Sequence, residues 1–107
     1  MSKLEELNRI QKLYDTYKDL LTKKQRYYFE FYYFEDLSLA EIADNENISR
    51  NAVYSNLNKS IALIEKYESI LKIVEKDSCI KEKLIQLQDK YKIDDAEIDD
   101  IIGVLLD

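Results

Sequence analysis

The side chains in this sequence that are best suited to binding chemistry lie between positions 50 and 59. They comprise a guanidinium, an ammonium, two amides, a hydroxyl and a phenol, on Arg50, Asn51, Tyr54, Ser55, Asn58 and Lys59. Their spacing of three, four and seven residues places them on one face of a helix. Such groups can exchange hydrogen bonds with base edges in a major groove, and the two cations can pair with phosphates. This face is therefore predicted to contact a nucleic acid.

A second basic group, Lys23, Lys24 and Arg26, follows Thr22, where another helix is predicted to begin. Positive charges in the first turn of a helix are repelled by the positive end of the helix dipole, so a compensating interaction is expected there. One explanation is phosphate contact, which helix-start N–H groups would support. The other is pairing with Glu41, Glu30 or another carboxylate, and Arg26 is the better candidate for that role.

A predicted helix-turn-helix positions the first group. Ser38 and Glu41 have the spacing of a capping box, which predicts a short helix over residues 39–45. Asn47 stands at the turn, where its tolerance of the left-handed conformation is useful. Ser49 is predicted to cap the second helix. The inner faces are predicted from the apolar spacing as Leu39, Ile42 and Ala43 on the first helix and Val53, Leu57, Ile61 and Ile64 on the second.

These segments resemble two known groups of proteins. The LTKKQR run, the DLSLAEIA block, the ISR after the turn, and Val53 and Leu57 at their spacings are similar to region 4 of bacterial sigma factors. Over the whole chain, the tyrosine-rich helix after KKQR, the SRNAVY run and the length resemble the YlxM-like family of Gram-positive bacteria. The resemblance implies a regulator linked to the signal recognition particle, since the family's gene lies beside those for the particle's GTPases. It implies DNA, structured RNA such as the particle's RNA, or the GTPase as a partner.

Composition predicts an all-α fold. The chain has 107 residues, 46% of them hydrophobic, with no proline and one glycine. This length is typical of one domain with a real core, and the near absence of turn residues disfavours strands. We expect a single domain over 1–107 that contains a sigma region 4-like helix-turn-helix core without a wing over 22–67. An N-terminal helix precedes this core, and an acidic helical tail over 68–107 extends it.

The net charge of -6 is concentrated in the tail, where residues 68–107 hold six basic and eleven acidic side chains. Residues 22–67 hold six basic and seven acidic side chains, so the predicted motif is nearly neutral. Counterion release by basic groups normally drives nucleic-acid binding. The charge therefore points to modest affinity, to an RNA or protein target, or to autoinhibition.

The flanking helices are predicted from their caps and apolar spacing. Ser2 and Glu5 begin a helix to about Leu20, whose apolar stripe either packs on the core or forms a dimer seam. The helix after Ser49 meets no breaker until about Lys76. Two tail helices follow, one capped by Asp77 or Ser78 with Ile80, Leu84, Ile85 and Leu87 inward, and one beginning with Asp94 and Glu97.

Seven of the eight residues from Tyr27 to Phe34 are aromatic. Eight consecutive helical positions cover the whole circumference, so one core face cannot bury them all. The favoured interpretation is core packing plus a subunit contact, which with the surplus of apolar residues predicts a homodimer. The alternative is stacking on unpaired bases.

Other functions find little support in the sequence. The chain has no histidine, one cysteine and no glycine-rich phosphate loop, so an enzyme and a bound cofactor are not expected. The carboxylates of IDDAEIDD lack the glycine turn of a calcium loop, so no metal is expected. Cys79 is expected to be a small buried or half-buried residue near a helix start. No apolar run is long enough for a membrane span or a signal peptide, which predicts a cytosolic protein.

Two hypotheses of different classes follow. In the first, the helix after Ser49 reads DNA or a structured RNA, and Lys23 and Lys24 bind phosphates. In the second, the motif is only a scaffold, and the aromatic helix and acidic tail bind a protein such as the GTPase of the signal recognition particle.

Overall fold

The computed structural model describes residues 2–92 and 96–105. Within these residues every regular element is helical, as the composition predicted, and no wing is present. The α-helices are α1 (Lys3–Tyr17), α2 (Lys23–Tyr33), α3 (Leu39–Glu46), α4 (Arg50–Leu71), α5 (Ile73–Tyr91) and α6 (Ala96–Val104), with a 3-10 turn at Lys18–Leu20. The chain forms two compact units, Met1–Ile70 and Leu71–Asp107, which are described separately. The single domain over 1–107 stays a prediction.

Side-chain caps begin the helices of the first unit where the sequence predicted them. Thr22 with Gln25, and Ser38 with Glu41, form reciprocal capping boxes at α2 and α3. At α1 the Ser2 hydroxyl accepts a hydrogen bond from the Glu5 N–H at 3.2 Å. Because each cap satisfies N–H groups that have no partner inside the helix, local chemistry alone fixes these helix starts.

The core of the first unit is aromatic where α1 meets α2. Phe29 is 0% exposed and stacks on Tyr14, with ring centroids 4.1 Å apart and an interplanar angle of 7°. The Tyr14 hydroxyl donates to a Glu30 carboxylate oxygen at 2.7 Å. Tyr28 is also buried, whereas Tyr27 and Phe34 are about half exposed. The prediction that one face cannot bury all seven aromatics is confirmed.

Polar contacts join α1 to α4 beside this core. The Arg9 guanidinium pairs with Glu65 at 2.6 Å, and the Tyr17 hydroxyl donates to Glu68 at 2.6 Å. The predicted stripe of α1 is buried only in its middle, at Ile10, Leu13, Tyr14 and Tyr17, while Leu4 and Leu20 are exposed. The ends of the stripe thus remain outside the core of this unit.

The Tyr14 environment predicts alkaline sensitivity. Burial, followed by the hydrogen bond to Glu30, raises the pKa of the Tyr14 hydroxyl from 10.0 to about 12. Between these values the unfolded chain loses the proton while the folded chain keeps it, so the free energy of unfolding should fall as pH rises. Below pH 10 this contribution is fully present. Urea unfolding should show that the free energy of unfolding falls less steeply between pH 9 and 12 in Tyr14→Phe than in the wild type. Equal slopes of this free energy against pH in the two proteins would contradict the raised pKa of Tyr14.

The second unit differs from the sequence-based expectation. The helix from Ser49 ends at Leu71 instead of Lys76, because Lys72 adopts the left-handed conformation with φ 55° and ψ 31°. The predicted caps Asp77 and Ser78 are wrong, since both lie inside α5. No residue of α5 is fully buried, and Ile80, Ile85 and Leu87 are nearly half exposed instead of inward.

Other expectations for this unit concern single residues. Cys79 is exposed within α5, so the expectation of a buried residue near a helix start is wrong. The predicted cap Asp94 lies outside the described residues. The Gln88 side-chain amide donates to Asp99 at 2.8 Å, which links α5 to α6. None of the helices over residues 2–92 and 96–105 combines the length and the apolar composition that a membrane span requires.

Candidate nucleic-acid interface

The turn between α3 and α4 sets the start of the candidate site. Asn47 has φ 56° and ψ 44°, and its N–H donates to the Ala43 carbonyl. The Ile48 N–H donates to the same carbonyl at 3.0 Å. The Ser49 hydroxyl then accepts from the Ala52 N–H at 3.0 Å, so Ser49 caps α4 as predicted. The helix-turn-helix therefore has the local geometry that the sequence indicated.

The left-handed turn yields a stability prediction. Asn47→Val should cost about 1–2 kcal/mol, because a side chain branched at Cβ is strained in this conformation. Asn47→Gly should keep the wild-type stability within about 1 kcal/mol. The matched control is Asn45→Val, an exposed helical position where asparagine and valine have similar propensities. Thermal unfolding followed by circular dichroism measures all three, and equal destabilisation by the two valines would contradict a special role for Asn47.

The first turns of α4 divide into a buried and an exposed face. Val53, Leu57 and Ile64 are buried, as predicted, whereas Ile61 is half-buried. Ser60 is fully buried beside them, and its hydroxyl donates to the Asn56 carbonyl at 3.0 Å. On the other face all six candidate residues are exposed. They form two rows along the helix, with Arg50, Tyr54 and Asn58 in one row and Asn51, Ser55 and Lys59 in the other. The four-residue spacing keeps each row on one side of the helix, and the exposure of all six residues shows that this side points away from the core.

The exposed face carries two cations, Arg50 and Lys59. Within residues 2–92 and 96–105, neither Arg50 nor Lys59 makes an ion pair. Asp44 and Glu46 are also exposed, near the end of α3. The face can therefore attract a phosphate at either end, although these carboxylates reduce the local positive potential.

The basic group at the start of α2 separates into two kinds of residue. Lys23 and Lys24 are exposed, and the Lys23 ammonium lies 5.7 Å from the ring centroid of Tyr27. The Arg26 guanidinium is 3.6 Å from an Asp19 carboxylate oxygen. Arg26 thus has the carboxylate partner that the second explanation required, although this partner is Asp19 and not Glu41 or Glu30. The two lysines remain available for phosphate contact.

Two adjoining clefts beside the start of α4 were not foreseen from the sequence. One has a volume of 240 Å³ and is lined by Leu39, Arg50, Asn51 and Tyr54. The other, of 420 Å³, is lined by Tyr32, Ser38, Leu39, Ala40 and Arg50. Leu39 was assigned to the inner face of α3, but it is only half-buried and forms a wall shared by both clefts. The sequence carried no signal for these clefts, because they depend on how α2, α3 and α4 pack together.

Comparison with known proteins adds an independent finding. A family model described as "Putative helix-turn-helix protein, YlxM / p13 like" matches residues 4–103. UPF0122 protein ABC2295 of Shouchella clausii is 42% identical over 93 residues, covering 87% of this chain and 85% of that protein. UPF0122 protein GWCH70_1086 of a Geobacillus strain is 42% identical over 106 residues, covering 95% and 96%. UPF0122 protein BCAH187_A3894 of Bacillus cereus is 47% identical over 73 residues, covering 68% and 66%.

Proposed function

Because the chain belongs to the YlxM/p13-like UPF0122 family of helix-turn-helix proteins, we propose that it is a regulator that binds nucleic acid through the exposed face of α4. The role is binding and not catalysis. The observation that carries the proposal is the separation of faces on α4. Val53 and Leu57 hold the helix in the core, and six hydrogen-bonding side chains remain exposed at its start. In helix-turn-helix proteins this part of the second helix enters the major groove.

Phosphate contacts would complete the interface. Arg50 and Lys59 are the cations on the candidate face at the start of α4, and Lys23 and Lys24 are exposed at the start of α2. Arg26 contributes indirectly, since its contact with Asp19 helps to fix the start of α2. With so few cations the affinity should be modest and strongly dependent on salt.

The target we propose is a structured RNA or DNA in the signal recognition particle pathway, with the particle's RNA as the first candidate. This rests on the resemblance to YlxM-like proteins and on a motif similar to sigma factor region 4. A protein with such a target would work in the cytoplasm.

A second candidate function is an adaptor that binds the GTPase of the signal recognition particle. The observation that favours it is the exposed apolar surface of α5, where Ile80, Ile85 and Leu87 are each nearly half exposed. The acidic side chains of residues 68–107 would complement a basic protein surface. In this case the helix-turn-helix is only a scaffold.

One titration separates the two candidates. The full chain is added to labelled duplex DNA, to the particle's RNA and to its GTPase, and binding is followed by anisotropy. The first candidate predicts binding to a nucleic acid and weaker binding at higher salt. Binding to the GTPase alone would support the adaptor and contradict the nucleic-acid role.

We also propose that the chain forms a homodimer. Exposed apolar side chains occur in both units, including Leu4, Leu20 and Tyr27 in the first and Ile80, Ile85 and Leu87 in the second. Burial of such surface on association is favourable. Size-exclusion chromatography with light scattering at tens of micromolar should give twice the chain mass of 12.8 kDa. A mass of one chain would contradict the dimer.

A further inference from the structure

We propose that the cleft lined by Leu39, Arg50, Asn51 and Tyr54 binds one unpaired base of the nucleic acid target. This inference rests on the proposed function and makes its substrate class specific: a duplex that carries an unpaired nucleotide, in preference to a fully paired one.

The walls of the cleft suit a planar aromatic ligand. Tyr54 is 57% exposed, and its ring makes no stacking contact with another ring of the described residues. Leu39 supplies an apolar surface on α3. This cleft has a volume of 240 Å³ and meets the second cleft, of 420 Å³, at Leu39 and Arg50. The second cleft lies within the roughly 300–1,000 Å³ of small-molecule pockets, and the first is slightly smaller. A nucleobase placed there would stack on a tyrosine ring that is otherwise left in water.

Polar groups at the same cleft match the remainder of a nucleotide. The Arg50 guanidinium, which has no carboxylate partner among the described residues, can pair with the phosphate through two parallel hydrogen bonds. The Asn51 amide both donates and accepts, so it can bond the edge of the base. The cleft thus combines a stacking surface, an anion-binding group and an edge-reading group.

A paired base cannot use this arrangement in full. In a duplex both faces of each base are covered by its neighbours, and only the edges are accessible in the grooves. An unpaired base can leave the stack and place its face on an aromatic side chain. Duplex binding by α4 would therefore use the edge-reading residues, and the ring of Tyr54 would add affinity only when an unpaired base is present.

A neighbouring cavity limits the path of the strand. Tyr32 and Ser38 also line a space of 450 Å³ that is bordered by Asp36 and Glu41. These carboxylates repel phosphate. The strand is therefore expected to continue from Arg50 along α4 toward Lys59, and not toward the acidic cavity.

The test compares an RNA duplex with the same duplex carrying one bulged adenosine, by anisotropy with the full chain. We expect the bulged duplex to bind about 5- to 150-fold more tightly, the range for stacking one base on an aromatic side chain. Tyr54→Leu should abolish this preference, so that the two duplexes bind with nearly equal affinity, and Tyr54→Phe should retain it. The matched control is Tyr91→Leu, an equally exposed tyrosine in the other unit, which should change neither affinity.

A second readout reports stacking directly. 2-Aminopurine at the bulge should lose fluorescence on binding to the wild type and to Tyr54→Phe, but not to Tyr54→Leu. Equal affinity of the wild type for the two duplexes would overturn the inference while leaving the proposed function intact. The same holds if Tyr54→Leu weakens binding to both duplexes by the same factor, because the preference for the bulge would then persist without the ring. Failure to bind either RNA duplex would overturn the inference, and it would overturn the proposed function as well if the duplex DNA and the particle's RNA of the titration above also failed to bind.

Discussion

Phe29→Ala is expected to destabilise the first unit by about 3–5 kcal/mol, the cost of removing a fully buried aromatic ring. Phe29 is 0% exposed, and its ring centroid lies 4.1 Å from that of Tyr14 and 4.5 Å from that of Tyr33. Alanine would leave a cavity between α1 and α2 and would remove these ring contacts. Since whole domains are stable by only about 5–15 kcal/mol, this loss would remove a large share of the free energy of unfolding.

Urea unfolding followed by circular dichroism measures this loss. The control is Tyr27→Ala on the same helix, where the ring is about half exposed and the expected cost is about 1 kcal/mol or less. If Phe29→Ala cost no more than Tyr27→Ala, the aromatic cluster would not be the core of this unit.

The double variant Arg50→Ala/Lys59→Ala is expected to weaken nucleic-acid binding about 30-fold or more at low salt. Each lost contact to a base edge or phosphate costs about 1–3 kcal/mol, and the two cations lie nine positions apart, so their effects should nearly add. The slope of log affinity against log salt should also become shallower, because fewer counterions are released. Both side chains are exposed, so the far-ultraviolet circular dichroism should not change.

The matched control for this variant is Lys83→Ala/Lys90→Ala, which removes the same charge from exposed positions of α5. It should alter affinity only through the overall charge, by a few-fold at low salt and less at moderate salt. An equal loss in the two double variants would mean that binding follows net charge and not the face of α4.

Most of the first unit could be predicted because its signals are local. Ser38 and Ser49 satisfy N–H groups within three residues of themselves, and Asn47 tolerates a conformation that few other residues adopt. The buried stripe of Val53 and Leu57 follows from helical spacing. No tertiary information is needed for any of these features.

The remaining features depend on contacts that spacing does not encode. Lys72 favours helix by propensity, so nothing in its type signals the break between α4 and α5. The α5 apolar residues have the spacing of an inward face, but that spacing does not tell whether another element covers them. Arg26 had several carboxylates within reach, and the loop conformation selects Asp19.

The clefts at the candidate site also depend on tertiary contacts that sequence spacing does not encode. Leu39 and Tyr32 are separate in sequence from Arg50, and only the packing of α2, α3 and α4 brings them to one surface. Sequence spacing could therefore identify the polar face of α4, but it could not identify the concave surface beside it.

The most direct test of the nucleic-acid role is an NMR titration of the isotope-labelled full chain with the candidate RNA. We expect amide chemical-shift changes to concentrate in the first turns of α4, at Arg50, Tyr54 and Asn58, with smaller changes at Lys23 and Lys24. Shift changes confined to α5 and α6, with the start of α4 unaffected, would show that the helix-turn-helix is a scaffold and would contradict the central claim.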